Sequence, residues 1–450
     1  MKSFLIGGIH PQTNKLSVGR PIQMIPLPEL VVIPLGQHIG APAIAIVNKG
    51  DKVKAGTMIG KAEGFVSANV HSSVSGTVVK IDETPDGFGI SSTAVWIKVE
   101  GDEWEPTIDC SETIVRECTF SSLEIIQKIG AAGIVGMGGA AFPTQVKLSP
   151  PRDQRADVLL VNAAECEPYL TSDHALMLEK GEQIIVGATI LMQAMNASRA
   201  VIGIESNKPD AIARMTNISI AYQGVEIIPL KTKYPQGSEK QLIEAVLRRQ
   251  VKSGALPVSE GTIVHNAGTV YAVYEAVQKN KPLIERVVTV TGKSVSKPSN
   301  FLARIGTPIS VLLKAAGGLP ENTGKIICGG PMMGKAMINA DSPITKGCSG
   351  VLLMTKEESL RRPAHDCIRC IKCTRACPMG NEPHLLMNLA ERKLWDEAKK
   401  NHILDCIECG SCTYSCPAHR PILDHVRQGK ATVMSIVGAK KNECDKTNIE

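Results

Sequence analysis

Near its carboxyl end the chain reads CIRCIKCTRACP from Cys367 to Pro378, and 39 residues later it reads CIECGSCTYSCP from Cys406 to Pro417. Within each copy the cysteines are separated by two, two and three residues, and proline follows the last one. The similarity extends beyond the cysteines, because Thr374 and Thr413 occupy the same place in the two copies. The segment is therefore an internal duplication.

The spacing of these cysteines predicts their chemistry. Three thiolates two residues apart can wrap one face of an iron–sulfur cube, and the fourth, which precedes proline, points away and binds the other cube. We therefore expect two [4Fe–4S] clusters with crossed ligands. The first ligand set is Cys367, Cys370, Cys373 and Cys416, and the second is Cys406, Cys409, Cys412 and Cys377.

Zinc is the alternative metal for a cysteine-rich segment. Four-cysteine zinc sites use two C-x2-C arms separated by a loop, and the duplicated run of three close cysteines and Cys-Pro fits that plan poorly. Between the two copies, residues 383–399 carry apolar side chains at helical spacing. The sequence predicts a helical two-cluster ferredoxin-type domain over 356–439 and a flexible tail over 440–450.

The composition excludes several classes of protein. The chain has 450 residues and 14 cysteines, most of them in the duplicated segment, whereas a disulfide-stapled secreted domain spreads its cysteines over a small chain. A formal net charge of +6 is too small for a dedicated nucleic-acid-binding protein. We find no signal-peptide pattern after Met1 and no apolar run of the ~20 residues that span a bilayer. We expect an intracellular chain, without a transmembrane segment, that reaches a membrane through partners.

Residues 112–283 alternate between apolar runs and helical patterns. A continuous apolar run such as 158–162 is typical of a buried parallel strand, and further strands are predicted over 199–204, 225–230 and 262–266. A helical pattern over 174–195 connects the first two of these strands. The alternation predicts an α/β domain with a parallel sheet, in which ligands bind at the carboxyl ends of the strands.

Two polar features lie where such a ligand is expected. The loop Gly133–Thr144 reads GIVGMGGAAFPT and precedes Lys147; glycine allows a backbone to approach a phosphate closely. Alone this loop is a weak signal, because the strong strand follows it, unlike the usual Rossmann arrangement. That strand ends at Asn162 and is followed by Glu165 and Glu167, so polar groups lie at its carboxyl end.

Two β-rich regions flank the α/β part. Residues 1–111 contain short strands and turns whose rhythm from Val47 to Ile59 resembles the barrel-sandwich hybrid of biotinyl and lipoyl carrier domains. Those carriers present a modified lysine at a hairpin tip, and the corresponding tip at 67–71 has no lysine, so we predict a structural module. Residues 284–355 return to short β runs and predict a small mixed domain.

Taken together, the motifs resemble the FMN- and NADH-binding subunit of respiratory complex I. They resemble more closely the RnfC family, whose members belong to the ion-translocating Rnf electron transport complex. The matching stretches are 133–147, 162–169, 234–239 and 264–269. The resemblance implies a multidomain α/β and α+β chain. A barrel-sandwich-hybrid-like module would precede the flavin–nucleotide domain, and a β-grasp domain of the soluble-ligand-binding type and the twin ferredoxin motifs would follow.

The resemblance also implies roles for single residues. Gly136, Gly138, Gly139 and Lys147 would cradle the FMN phosphate, Asn162 and Asn266 would contact the flavin, Glu165 and Glu167 would face the nicotinamide nucleotide, and Gly237 and Glu239 would close the pocket. Four positions depart from the complex I pattern. Met137 stands where complex I has arginine, Ala164 where it has aspartate, and Ala141 and Gln145 replace glycine.

The function implied is that of a peripheral electron-input subunit on the cytoplasmic side of the bacterial inner membrane. NADH would reduce FMN, and the electrons would pass singly through the two clusters to an iron–sulfur partner in a membrane complex that moves Na+ or H+. Two alternatives stay open: a soluble flavo-iron–sulfur cobalamin reductase, and a cluster-only electron-wire protein without flavin.

Overall fold

The computed structural model describes residues 1–151 and 153–447, with side chains through residue 438. These residues form four sheets and a helical carboxyl-terminal region. Among the helices described, none combines the length and the apolar character needed to cross a bilayer.

Two antiparallel sheets form the N-terminal β module. The first eight strands are β1 (Ile22–Met24), β2 (Leu30–Pro34), β3 (Ile44–Ala45), β4 (Lys52–Val53), β5 (Met58–Lys61), β6 (Val70–His71), β7 (Gly76–Pro85) and β8 (Ser91–Val99). One sheet has the order β2-β8-β7-β4 and the other β3-β5-β6, whereas β1 lies elsewhere. Ile33, Ile59 and Ile97 are fully buried in a shared core, as expected for two sheets packed face to face.

The hairpin tip of this module is covered by the next domain. Nδ2 of Asn69 donates to the carbonyl of Ala131 at 3.3 Å. The backbone of Gly133 approaches so closely that a Cβ there would lie 2.1 Å from the carbonyl oxygen of Asn69. A tip fixed in this way cannot travel between active sites, which supports a structural role over a carrier role.

A parallel sheet with helices on both faces forms the central domain. Its elements are α1 (Ser122–Ala131), α2 (Thr144–Lys147), β9 (Val158–Ala163), α3 (Ser172–Glu179), α4 (Gly181–Met195), β10 (Arg199–Glu205), α5 (Pro209–Ser219), β11 (Val225–Leu230), α6 (Glu239–Leu247), a 3-10 turn (Pro257–Glu260), β12 (Thr262–Asn266) and α7 (Ala267–Lys279). The strand order is β11-β10-β9-β12, and every neighbouring pair is parallel. The register places Asn162 opposite Asn266 at the carboxyl ends of β9 and β12.

The helix predicted over 174–195 is divided into α3 and α4. Lys180 leaves the helical conformation, with φ −121° and ψ 28°. At the next position a Cβ would lie 3.0 Å from Sδ of Met215, so Gly181 allows α4 to start in close contact with α5. This break depends on a tertiary contact and has no signal in the apolar periodicity.

The third region is a six-stranded sheet to which the N-terminal segment contributes. Its own elements are β13 (Glu285–Thr291), β14 (Ser299–Arg304), α8 (Ile309–Ala315), β15 (Thr323–Cys328), β16 (Lys335–Ala336) and β17 (Gly350–Thr355). The order is β1-β14-β13-β17-β15-β16, with Ile22 of β1 parallel to and opposite Asn300. The N-terminal segment thus crosses between domains, and the boundaries 1–111, 112–283, 284–355 and 356–439 stay predictions.

Short helices surround the duplicated cysteines. They are α9 (Lys356–Ser359), α10 (Lys372–Ala376), α11 (Pro383–Glu391), α12 (Trp395–Lys400), a 3-10 turn (Ile403–Asp405), α13 (Ser411–Tyr414) and α14 (Ile422–Thr447). The helical pattern at 383–399 corresponds to α11 and α12, which are separated at the left-handed Lys393 (φ 57°). The predicted tail 440–450 begins inside α14, and residues 448–450 lie outside the described residues.

Candidate electron-transfer site

The eight motif cysteines line two separate cavities in the crossed arrangement predicted from their spacing. The first cavity, of about 220 Å³, is lined by Cys367, Cys370, Cys373 and Cys416. The second is lined by Cys377, Cys406, Cys409 and Cys412. None of the eight is joined in a disulfide within the described chain. Each set of four cysteines therefore shares one cavity wall.

The two copies of the motif share their backbone geometry. Arg369 and Ile371 are left-handed, with φ 56° and 55°, and the equivalent Glu408 and Gly410 are left-handed too, with φ 57° and 76°. These turns reverse the chain between consecutive cysteines. The duplication seen in the sequence is therefore also a duplication of structure.

A larger cavity, of about 420 Å³, lies at the carboxyl ends of β9 and β12. It is lined by all ten residues predicted to bind FMN and NADH, namely Gly136, Gly138, Gly139, Lys147, Asn162, Glu165, Glu167, Gly237, Glu239 and Asn266. Met137 and Ala141, which depart from the complex I pattern, lie on its wall as well. The third-region residues Met333 and Ser349 complete the lining.

The two asparagines are fixed by hydrogen bonds to the frame. Nδ2 of Asn162 donates to the carbonyl of Gly237 at 2.7 Å. Oδ1 of Asn266 caps α7 by accepting from the backbone N–H of Gly268 at 2.9 Å, and its Nδ2 donates to Asp173 at 2.6 Å. Their side chains are thus held in one orientation before any ligand binds.

The glycine positions fit a flat ring and a phosphate. A Cβ on Gly138 would lie 2.8 Å from Cβ of Asn266, whereas at Gly139 nothing lies within 4 Å. A Cβ on Gly237 would lie 3.2 Å from Sγ of Cys166. Side chains at Gly138 and Gly237 would therefore displace neighbouring wall residues, and Gly139 leaves its backbone open. Nε2 of the buried His265, which also lines the cavity, has no hydrogen-bond partner within the described chain.

The acidic loop after β9 is held by backbone N–H groups. The carboxylate of Glu165 accepts from Asp173 N at 2.7 Å, at the start of α3. The carboxylate of Glu167 accepts from Met332 N and Met333 N at 3.1 and 2.7 Å. Desolvation raises the pKa of Glu167 to about 7 although part of the residue is exposed. Glu167 thereby links the acidic loop to the third region.

Lys147 and Glu239 form an ion pair on the cavity wall, with Nζ and Oε1 2.6 Å apart. Nζ of Lys147 also donates to the carbonyl of Val264 at 2.7 Å. Lys147, which is expected to reach a phosphate, and Glu239, which is expected to close the pocket, thus contact each other on the cavity wall.

Two residues at or beside the site have no clear signal in the sequence. Asp173 lies in the cavity, where desolvation and then the carboxylate of Glu165 raise its pKa to about 7. Lys15 donates through Nζ to the carbonyls of Glu165, Glu167 and Leu170 at 2.9, 2.9 and 2.5 Å. The burial of this ammonium lowers its pKa to about 8. The Lys15 contacts span about 150 residues of chain, which no local pattern can reveal.

Tyr234, in the stretch 234–239, connects the large cavity to the second cysteine-lined cavity. It lines the cavity, and its hydroxyl donates to the carbonyl of Cys409 at 2.8 Å. Cys409 belongs to the second ligand set. One side chain thus bridges the wall of the nucleotide-sized cavity and the second set of cysteines.

Comparisons with known proteins agree with this geometry. Residues 3–102 match the RnfC barrel sandwich hybrid domain, 129–275 the Nuo51 FMN-binding domain, 287–336 the SLBB domain, and 359–417 the 4Fe-4S dicluster domain. The chain is 46% identical, over 96% of its length and 94% of the relative, to the C subunit of the proton-translocating ferredoxin:NAD(+) oxidoreductase complex of Clostridium ljungdahlii. It belongs to the RnfC family of ion-translocating oxidoreductase complexes.

Two further members of the RnfC family are also similar over most of the chain. The chain is 41% identical to the C subunit of the Na(+)-translocating ferredoxin:NAD(+) oxidoreductase complex of Acetobacterium woodii, over 95% of the chain and 97% of that protein. It is 40% identical to the C subunit of the ion-translocating oxidoreductase complex of Rhodobacter capsulatus, over 85% of the chain and 74% of that protein. The family, the four-part fold class, FMN and the paired [4Fe–4S] clusters predicted from sequence are confirmed.

Proposed function

We propose that the chain is the peripheral electron-input subunit of an ion-translocating NADH:ferredoxin oxidoreductase. The observation that carries the proposal is the placement of one nucleotide-sized cavity, with all ten predicted residues on its wall, beside a pair of cysteine-lined cluster cavities. The relatives in Clostridium and Acetobacterium carry the name ferredoxin:NAD(+) oxidoreductase.

The roles proposed for the wall residues follow from their positions. Gly136, Gly138 and Gly139 present backbone to a phosphate, and Asn162 and Asn266 present fixed amides to a ring system. Glu165 and Glu167 lie where the ribose hydroxyls or the carboxamide of a nicotinamide nucleotide can donate to them. When bound, FMN supplies the conversion between hydride transfer and single-electron transfer.

The two sets of cysteines lie at different positions relative to the large cavity. The second set of cysteines is joined to the cavity wall by Tyr234 and Cys409. The first set opens at the outer face of the molecule, where Cys367 is exposed. We infer that electrons pass from the cavity to the second cluster, then to the first, and leave to a partner there.

In this proposal the protein is attached to the membrane through its partners. The protein would lie on the cytoplasmic side of the bacterial inner membrane, held by other subunits that include an iron–sulfur protein. Those partners would carry out the redox steps that move Na+ or H+.

Flavin content is the direct test. Purified chain reconstituted with FMN is expected to retain about one flavin per chain, and NADH added without oxygen should bleach both flavin and cluster absorbance. Glu167→Ala should impair the bleaching while the iron content stays unchanged. A protein with full cluster absorbance that retains no flavin after reconstitution would contradict the proposal and favour the cluster-only alternative.

A soluble cobalamin reductase remains the alternative enzyme. Gentle detergent extraction of membranes separates the two functions. Co-purification of the chain with integral membrane subunits supports the proposal, whereas exclusive recovery in the soluble fraction together with cobalamin reduction supports the alternative.

A further inference from the structure

The two copies of the cysteine motif differ in what covers them, although their backbones match. In the second copy, Ile407 packs against Ile9, Tyr234 and Ala376. Gly410 lies so near the third region that a Cβ would meet the carbonyl oxygen of Met332 at 3.2 Å. Other parts of the same chain therefore cover the loop of the second copy.

The equivalent loop of the first copy is bare. Ile368 occupies the place of Ile407 and is 68% exposed, and Ile371 occupies the place of Gly410 and is 48% exposed. Every residue from 361 to 369 is exposed. This loop also lines the first cluster cavity. The second copy therefore shows the same motif covered by other parts of the chain, and the first copy can be compared with it.

The two copies also differ in the charges that they carry and in how those charges are paired. In the first copy Arg369, Lys372 and Arg375 are exposed, and within the described chain none of them has an ion-pair partner. Their equivalents in the second copy are Glu408, Ser411 and Tyr414. Glu408 is paired internally with Arg427 and Lys430 at 3.1 and 3.2 Å.

We propose that this face, composed of Ile368, Arg369, Ile371, Lys372 and Arg375 and called here the outer cluster face, docks an acidic iron–sulfur electron-transfer protein. The proposal rests on the proposed function for the presence of a cluster behind the face. The complementary charge of the partner follows from the unpaired cations, and its contact at the cluster edge follows from the two exposed isoleucines.

The physical properties of the face suit a transient contact. Electron-transfer encounters bury little surface, less than about 1,200 Å², so a small apolar centre with a charged rim is sufficient. Opposite charges mainly raise the association rate and orient the partners. Two copies of this chain that met through this face would present the same cations to each other, and they would repel each other at low ionic strength.

The test uses an acidic two-cluster ferredoxin as the probe and the full chain with its clusters intact. The double variant Arg369→Glu with Lys372→Glu is compared with Lys49→Glu with Lys52→Glu, which makes the same charge change at exposed lysines of the N-terminal module. At low ionic strength we expect the wild-type chain and the control to bind the ferredoxin equally. The face variant should bind at least tenfold more weakly, with a flatter salt dependence.

Three outcomes would overturn the docking proposal: no binding by the wild-type chain at low ionic strength, equal binding by the face variant, or wild-type self-association that the face variant abolishes. Iron content of each variant confirms that the clusters are retained. Bleaching by NADH is measured separately. A chain that is bleached by NADH but does not bind the ferredoxin fails only the docking proposal, and a chain that binds but is not bleached fails only the proposed function.

Discussion

Lys15 connects the N-terminal segment to the acidic wall of the large cavity. Its three hydrogen bonds all end on backbone carbonyls of the loop that presents Glu165 and Glu167. The residue itself does not line that cavity. Lys15 is therefore a positioning residue, which acts on a nucleotide through the conformation of the loop.

We predict that Lys15→Met raises the KM for NADH at least tenfold, with a smaller change in kcat. Losing hydrogen bonds from a charged donor costs about 1.5–3 kcal/mol each, and part of that cost appears as disorder of the acidic loop. Steady-state NADH oxidation with an artificial acceptor measures the effect. Lys2→Met is the control, because Nζ of Lys2 donates to the carbonyl of Val246 at 2.9 Å, a contact with α6 instead of the acidic loop. Equal KM values in wild type and Lys15→Met would refute the positioning role.

The sequence identifies those site residues whose signal is local. Asn162 and Asn266 end strands that the apolar pattern predicts, and the glycines cluster in one loop. Asp173 and Lys15 escape prediction because their importance comes from burial beside groups that are distant in sequence. The contact between Lys147 and Glu239 is likewise set by packing of α2 against the end of β12 and the start of α6.

At the level of elements, each of the two cysteine motifs contributes to both cysteine-lined cavities. Cys416 is the last cysteine of the second motif but lines the first cavity, and Cys377 is the last cysteine of the first motif but lines the second cavity. Neither motif alone supplies all four thiols of one cavity. The two clusters are therefore expected to stabilise each other.

We predict that Cys416→Ser loses the first cluster and weakens the second, and that Cys370→Ser does the same. Each variant should lose at least half of the iron, because its thiolate is a ligand and the folding of the two motifs is coupled. Iron analysis and paramagnetic resonance of the reduced protein provide the measurement. The control is Cys118→Ser, a partly buried cysteine outside both cavities; full iron content in Cys416→Ser would refute the crossed assignment.

Strands were more predictable than helix boundaries. The strands predicted over 225–230 and 262–266 coincide with β11 and β12, because the alternation of strands and helices in a parallel α/β domain limits where each strand can lie. The helical pattern at 174–195 contains a break at Lys180 that depends on the approach of α5. The spacing of apolar residues shows which face of a helix is buried, but it does not show where one helix ends and the next begins.

On the scale of the whole molecule, Lys346 joins three regions at one buried point. Its Nζ donates to the carbonyls of Asn69 and Gly133 at 2.7 and 2.8 Å. Its backbone N–H donates to Oε1 of Gln37 at 3.0 Å. Burial lowers the pKa of Lys346 to about 7. The N-terminal module, the start of the glycine loop and the third region thus share this side chain.

We predict that Lys346→Met destabilises the chain more at pH 9 than at pH 6. The unfolded lysine keeps its proton to about pH 10.4, while the folded lysine loses it near pH 7, so wild-type stability rises with pH in this window. The methionine variant lacks this pH-dependent gain in stability, and it leaves two carbonyls without a donor. Thermal unfolding at both pH values measures the difference, which should grow by roughly 3 kcal/mol between pH 6 and pH 9. A constant difference would show that the lysine does not titrate in this range.

The order of the regions along the chain was predictable, and the path of the N-terminal segment was not. Composition and motifs separate a β module, an α/β domain, a small mixed region and a helical cluster region. Residues 1–24 have no core pattern of their own, because they contribute single contacts to several regions, such as β1 at the edge of the third sheet.

That path has a consequence for biosynthesis. The backbone N–H of Gly8 donates to the carbonyl of Ala376, and Ile9 exchanges hydrogen bonds with Tyr234. Gly8 and Ile9 therefore leave the ribosome hundreds of residues before the residues that they contact. Until residue 376 emerges, the N-terminal segment lacks part of its binding surface, so we expect it to reach its final position only after the first cysteine motif has been made.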